Sequence, residues 1–324
     1  NISVGVPQGS VLGPLLFLIH LNDFSKASNT FKMINYADDT ALISAMSFFP
    51  GNSSDKISDE LEKVSTWLRA NKLMINVSKS KAMMFHQRNK RISNPEIKLN
   101  GELIEFVDTF NYLGIVLDQR LSWSAHTRSI SAKISKVIGI LSKLKHFFPP
   151  YILKIIYDAL ISSRLKYGLL IWGSCSSQIF KLQKRAVRII SNAKFNAHTE
   201  PIFKKLGILK VVDDRKLQEL IFFYKLQHGT LPQFFREGFI SLREAVQNRI
   251  TRVSQRLSIP RFWHEYMRGT LRFSIVNTIN KTPSLVLNKV VTHSLRGFSQ
   301  YAKGFLISTY SVTCNLTNCY ICRI

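Results

Sequence analysis

Asn35-Tyr36-Ala37-Asp38-Asp39-Thr40-Ala41-Leu42 is the stretch on which the fold turns. Phe31-Lys32-Met33-Ile34 before it and Ile43-Ser44-Ala45 after it read as short apolar strands. A Tyr-Ala-Asp-Asp core suits the turn between them, so a two-stranded hairpin is predicted over Phe31–Ser44. Adjacent carboxylates repel, and in an extended strand they point to opposite faces. At a tight turn both can lean towards one site, where a divalent cation would offset the repulsion. Mg²⁺ suits such a place because it is hard and prefers carboxylate and phosphate oxygens. Taken alone, an Asp-Asp pair reads first as a solvated turn, since Asp is a common turn residue. Its neighbours change that reading.

Upstream, Val4-Gly5-Val6-Pro7-Gln8-Gly9-Ser10 is a loop, because Gly and Pro break regular structure and Ser10 can cap a helix. Val11 to Phe24 is apolar nearly all round, and such a helix is expected to be buried. A Gln-Gly-Ser loop at a helix start can receive phosphates, because free N–H groups and the helix dipole point outwards; it can equally be an ordinary helix start. Downstream, Ile57, Leu61, Val64 and Leu68 form a helical stripe over Ser53–Leu73, with Asp55, Asp59, Glu60 and Glu62 near its start. That helix should pack on the sheet. A strand is predicted at Ala82–His86. Asn100-Gly101 between two apolar runs marks a hairpin whose type I′ turn needs φ > 0 at both central residues. Phe110–Leu117 reads as a further strand.

Past Gln119 the period changes to helical. Ser124–Lys145, Tyr151–Lys166, Ser177–Ser191 and Arg215–Gln227 are predicted helices, and beyond Leu231 no clear period remains. The charge changes at the same place. Residues 1–119 carry 12 Lys and Arg against 12 Asp and Glu. Residues 120–324 hold the other 33 basic and 8 acidic residues, so the whole net charge of +25 sits there. A balanced core followed by a basic helical extension suits a nucleic-acid partner, whose phosphates attract Lys and Arg regardless of sequence. The basic residues are spread over many helices, not along one amphipathic face, and no apolar run has the length of a membrane span, so no membrane partner is expected. Lys181, Lys184, Arg185 and Arg188 lie along one side of a predicted helix and could reach one nucleic-acid backbone. Four Cys are too few and too late for a disulfide framework, which suits a reducing compartment. Cys314-x4-Cys319-x2-Cys322 has a spacing compatible with Zn²⁺, with His293 as a fourth ligand; the plain alternative is three reduced thiols.

Four motifs stand in order: Gly5 to Phe17 around Gln8-Gly9-Ser10, Tyr36-Ala37-Asp38-Asp39, Asn76-x-x-Lys79, and Tyr112-Leu113-Gly114. Together with the basic run Leu182 to Arg188 they resemble the reverse transcriptase of non-LTR, LINE-type retrotransposons, in particular the jockey-like branch. The resemblance implies an α+β fold: a partial polymerase palm (1–119), a helical thumb and connection (120–230), and a basic C-terminal region with the Cys tail (231–324). It implies RNA-directed DNA polymerase chemistry in the nucleus or cytoplasm, with template RNA, a DNA primer and deoxynucleoside triphosphates as partners. Asp38 and Asp39 match the paired aspartates that hold two Mg²⁺ ions, Asp38 as the firmer ligand. Gln8, Gly9 and Ser10 match the loop lining the incoming nucleotide and template. Lys79 matches the lysine that protonates the leaving pyrophosphate. Tyr112, Leu113 and Gly114 match the hairpin that grips the primer. The family also uses a third carboxylate upstream of the Gln-Gly-Ser loop, and no acidic residue precedes Ser10 here. The chain is therefore expected to be the C-terminal part of such an enzyme, starting inside the palm and inactive alone. The alternative is a non-catalytic, nucleic-acid-binding remnant of a mobile element.

Overall fold

The computed structural model describes residues 9–45, 53–86, 94–236, 257 and 270–311. The chain divides into two compact units, Asn1–Tyr112 with Leu117–Leu121, and Leu113–Val116 with Ser122–Ile324. The first mixes helices with small sheets and the second is helical, an α+β chain.

The first unit opens with α1, Gly13–His20, which contains no buried residue. Val11, Leu12, Leu15, Leu16, Leu18 and Ile19 are all exposed, against the expectation of a buried helix. A helix apolar on every side needs cover on every side, and among the described residues that cover is absent. The buried end of this stretch is Phe24, whose ring packs 4.9 Å from that of Trp67. Then β1 (Lys32–Tyr36) pairs antiparallel with β2 (Asp39–Ile43), so the predicted hairpin is present.

Next comes α2, Ser53–Ala70, with Asp55 in its first turn facing the helix dipole. Ile57, Leu61 and Val64 of the predicted stripe are buried. Ile57 and Leu61 cluster with Ile97 and Leu99, and Phe31 and Leu42 of the first hairpin pack against them. Each such burial is worth about 1.5–3 kcal/mol, so this stripe is what holds the small strands together. Ser28 ties the entry to β1 onto α2: its hydroxyl donates to Glu60 and accepts from the N–H groups of Thr30 and Phe31. Hydrogen bonds from Lys63 and Ser28 hold the Glu60 carboxyl below its ordinary pKa.

The sheets that follow are short. Of the expected strand Ala82–His86 only Ala82 is in one, β3 (Lys81–Ala82). β4 (Lys98–Leu99) and β5 (Glu102–Leu103) flank Asn100 at φ +52° and Gly101 at φ +81°, as a type I′ turn requires. β6 (Glu105–Phe106) runs parallel to β3. β7 (Thr109–Tyr112) and β8 (Ile115–Asp118) form the last two-stranded sheet.

The helices of the second unit begin with α3, Ser124–Leu144, which turns through two prolines into α4, Pro150–Tyr157. One wide π-turn, Asp158–Ser162, joins α4 to α5, Ser163–Lys166. Then come α6 (Leu169–Trp172), α7 (Ser177–Ile190), α8 (Thr199–Leu206) and α9 (Val211–Gln227). Short α10 (Gln233–Arg236) precedes α11 (Leu271–Lys281), α12 (Ser284–Leu287), α13 (Lys289–Thr292) and α14 (Leu295–Ser308). The four predicted helices are thus present, the second interrupted by the π-turn and the fourth starting earlier, at Val211.

Ile134, Ile138 and Leu141 of α3, Val187 of α7, Leu220 of α9 and Phe298 of α14 belong to one buried cluster. Polar groups inside it are paired. Gln183 donates to the Tyr157 hydroxyl and the Leu209 carbonyl, both at 2.9 Å, and accepts from the Val211 N–H at 2.8 Å. A single buried amide therefore fixes where α9 starts relative to α7. Arg215 and Glu219 form an ion pair on α9 (Nε to Oε1 3.1 Å) with the carboxylate almost wholly buried. Arg215 also donates to the Ser274 hydroxyl and Glu219 accepts from Thr278, joining α9 to α11. At the end of α14, the Tyr310 hydroxyl donates to Asp213 at 2.8 Å and accepts the Lys210 N–H at 3.0 Å.

Candidate functional site

The aspartates stand at the end of the first hairpin. Tyr36 pairs with Asp39, so Ala37 and Asp38 are the two residues of the turn. Ala37 takes φ +51°, a left-handed conformation that type II′ hairpin turns place at this position and that normally favours Gly. A non-Gly residue there holds the turn in a sparsely populated backbone state, the kind of local strain that gathers at functional sites. Directly paired residues share a face, so Tyr36 and Asp39 lie on the same side of the ribbon as Ile34 and Ala41. Tyr36, Asp38 and Asp39 are exposed.

Gly9 has φ +86°, and Ser10 accepts a hydrogen bond from the Gly13 N–H at 3.1 Å, fixing the lead-in to α1. Gln8 lies outside the described residues. Asn76 caps the short turn Val77–Lys79 by accepting the Lys79 N–H at 3.1 Å. This explains the Asn-x-x-Lys spacing, because the Asn side chain sets the backbone direction at the lysine. Lys79 is exposed, and among the described residues no hydrogen bond or ion pair joins it to Asp38 or Asp39. Among the described residues no group of three His, Cys, Asp or Glu is arranged to hold a metal ion. Asp38 and Asp39 thus offer two hard oxygen donors without a third carboxylate beside them. Cys314, Cys319 and Cys322 lie outside the described residues; His293 is described, and its ring pairs with the Thr292 hydroxyl through Nδ1.

In the Tyr112-Leu113-Gly114 motif, the Tyr112 hydroxyl is buried with no hydrogen-bond partner among the described residues. Leu113 at φ +48° and Gly114 at φ +77° form a two-residue turn of the type I′ kind. Leu113–Val116 belong to the second unit, and within it this turn is held by residues the sequence did not single out. The Tyr167 hydroxyl donates to the Leu113 carbonyl at 2.6 Å, and its ring lies 3.4 Å from where a Cβ on Gly114 would be. The Val116 N–H donates to Nδ1 of buried His126 at 3.2 Å. That bond leaves the His126 proton on Nε2, and burial lowers the pKa of the ring, with Lys133 adding to the effect. The Trp172 indole N–H donates to the Tyr167 carbonyl at 2.8 Å, and its ring meets His126 edge-on. The only sequence signal for Tyr167 is its place before Gly168, which φ +60° requires.

The four basic residues of α7 are not equivalent. Lys181 and Arg185 are exposed. Lys184 lies over the Phe180 ring, 4.5 Å from its centroid. Arg188 is half-buried, its Nε donating to the Ala197 carbonyl at 2.8 Å, and burial lowers its pKa. On α3, Arg128, Lys133, Lys136 and Lys143 are exposed as well, and sequence reading did not single them out. Among the described residues, no helix is long and apolar enough to cross a membrane.

Residues 1–117 match the family model described as "Reverse transcriptase (RNA-dependent DNA polymerase)". The chain is 30% identical over 235 residues to the "RNA-directed DNA polymerase from mobile element jockey" of Drosophila melanogaster, covering 68% of this chain and 25% of the relative. It is 29% identical over 226 residues to the "Probable RNA-directed DNA polymerase from transposon X-element" of the same organism, covering 66% of this chain and 24% of the relative. Against the jockey protein of Drosophila funebris it is 27% identical over 234 residues, 68% of this chain and 25% of the relative. The chain thus spans about a quarter of the length of these relatives. No solved structure gives a significant match. Residues 1–117 thus match the reverse transcriptase (RNA-dependent DNA polymerase) family model, and the chain is similar to the polymerases of jockey-type mobile elements.

Proposed function

We propose that this chain supplies part of the nucleotidyl-transfer site and the nucleic-acid-holding helices of an RNA-directed DNA polymerase from a non-LTR mobile element. The observation that carries this reading is the strained Tyr36–Asp39 hairpin tip within the segment that matches the family. Its donors fit Mg²⁺, which takes one or two carboxylates and fills its remaining positions with water and phosphate oxygens. Asp38 and Asp39 would hold the ion, Asp38 as the firmer ligand. When bound, Mg²⁺ would neutralise charge on the phosphoryl group and help ionise the primer hydroxyl. The turn of Gly9 and Ser10 would receive the incoming nucleotide, and Lys79 Nζ would give a proton to the departing pyrophosphate. Leu113 and Gly114 would face the primer, with the basic helices along the backbone of template RNA and DNA.

Two carboxylates leave the site incomplete. No acidic residue precedes Asp23 in this sequence. The 324-residue chain alone is therefore proposed not to extend a primer, a third carboxylate being needed from outside it. Extension of a primed RNA template tests this. The chain alone should give no product. Joined behind the preceding polymerase segment of a jockey-type relative it should make DNA, and Asp38→Asn should lower that by about 10²–10³ or more. Synthesis that survives Asp38→Asn would overturn the catalytic reading.

The charge distribution favours a second reading, a non-catalytic nucleic-acid-binding remnant, because residues 120–324 carry 33 basic residues against 8 acidic ones. A fusion that binds template tightly but makes no DNA would support it over the first.

A further inference from the structure

The corner between α3 and α4 carries three aromatic rings in water. Phe147 is 79% exposed, Tyr151 67% and Phe148 44%, with Ile155 one turn beyond Tyr151 also exposed. The backbone beneath them is held firmly. The N–H groups of Phe147 and Phe148 both donate to the Leu144 carbonyl at 3.0 Å, and those of Ile152 and Leu153 to the Pro149 carbonyl. Pro149 and Pro150 fix φ through the corner, and Leu141, Leu153 and Tyr157 on either side are fully buried. Ordered backbone with outward rings means that little conformational entropy would be lost when something flat docks on them.

The surroundings select the partner. Between Asp118 and Asp158 the sequence contains no acidic residue, and Lys143, Lys145 and Lys154 flank the corner. Asp158 is itself paired with Lys154 at 3.2 Å. Lys143 is exposed and Lys145 half-buried. An apolar protein surface would use the rings but not the cations. A duplex would use the cations but hides its base faces. A single strand uses both, because it presents phosphates together with unstacked bases.

We infer that Phe147, Phe148 and Tyr151 form a stacking platform for the unpaired bases of a single-stranded nucleic acid, with Lys143 and Lys145 beside its phosphates. The inference rests on the nucleic-acid reading of the basic helical unit. Every base has a flat face, so the platform is indifferent to sequence. It separates the two kinds of contact: cations for any backbone, rings for single strands alone.

The test is a fluorescence-anisotropy titration of the full chain against two labelled probes, an oligouridylate of about a dozen nucleotides and a hairpin duplex of similar charge. Raised salt weakens the phosphate contribution and leaves the stacking in view. Phe147→Ser and Tyr151→Ser should each weaken oligouridylate binding by about tenfold and leave duplex binding unchanged. Tyr151→Phe should bind like the wild type. A strand carrying 4-thiouridine should crosslink to Phe147, Phe148 or Tyr151 by mass spectrometry. Ring variants that bind the oligouridylate normally, or lose both probes alike, overturn the platform while the nucleic-acid reading stands. A chain that binds neither probe removes that reading as well. Self-association that Phe147→Ser abolishes, with single-strand binding intact, assigns the corner to a second copy instead.

Discussion

The hydroxyl of Tyr167 donates to the carbonyl of Leu113 across 54 residues of sequence, at 2.6 Å. It grips the turn of the Tyr-Leu-Gly motif at the residue whose left-handed φ makes the turn possible. Gly114 beside it has φ +77° and faces the Tyr167 ring. The geometry of this turn is therefore set jointly by a local backbone requirement and by one distant phenol.

Gly114→Ala should destabilise the turn on both counts. The backbone disfavours a side chain at this φ by about 1–2 kcal/mol, and the added methyl comes within 3.4 Å of the Tyr167 ring. Tyr167→Phe keeps the ring and removes the bond, at a cost of about 1 kcal/mol. Thermal unfolding should rank Gly114→Ala below Tyr167→Phe, and Tyr167→Phe below the wild type. The opposite order would mean that the turn adapts to a Cβ more easily than it loses its hydrogen bond.

Asp214 provides a pH dependence. It is buried, and desolvation lifts its pKa to about 6 against the pull of Lys166 and Lys303. The folded state thus holds this proton more tightly than the unfolded chain, whose Asp titrates near 3.9. Its contribution to stability is present below about pH 4 and is lost as the pH rises through about 6, a change on the order of 2–3 kcal/mol. Asp214→Asn cannot ionise and should lack this loss. The check is the difference between the two denaturant-unfolding curves as a function of pH, which should grow between about pH 4 and 6 and then level off.

Arg215 and Glu219 are partners that tolerate no single removal. Arg215→Ala leaves a nearly buried carboxylate whose remaining described partner is Thr278, a loss of about 3–5 kcal/mol. Replacing both with Met should cost less than either Ala change alone. A double variant as unstable as the sum of the singles would show that the two side chains do not act as a pair.

On α7 the four cations should divide in salt titrations of nucleic-acid binding. Lys181→Ala with Arg185→Ala removes two exposed charges and should flatten the salt slope by about two units, one per lost phosphate contact. Arg188→Ala should act mainly on stability, because its guanidinium holds the Ala197 carbonyl. Equal slopes for the double variant and the wild type would rule this face out as a backbone contact.

The exposed helix α1 should make the chain adhesive. Leu15→Gln with Ile19→Gln should reduce binding of a hydrophobic dye and raise solubility, with little change in thermal stability, since neither side chain is buried. A large fall in melting temperature would show that these residues are covered in solution.

Local chemistry determined much of this protein. The Tyr36–Asp39 hairpin, the Asn100-Gly101 turn, the α2 stripe and the start of α3 follow from alternation, turn residues and a period of 3.6, all short-range properties of the chain. The paired aspartates and the charge divide near residue 119 were equally legible, because composition needs no fold to be read. Tertiary structure decided what depends on partners far away in sequence. Burial of an apolar helix requires neighbours on every side, and the described residues leave no residue of α1 buried. A basic residue on a helix is free or spent according to what lies over it, and that separated Lys181 and Arg185 from Arg188. Tyr167, His126 and Gln183 carry no motif. Each is a polar group whose role came only from the carbonyl or N–H that packing brought within 3.2 Å of it.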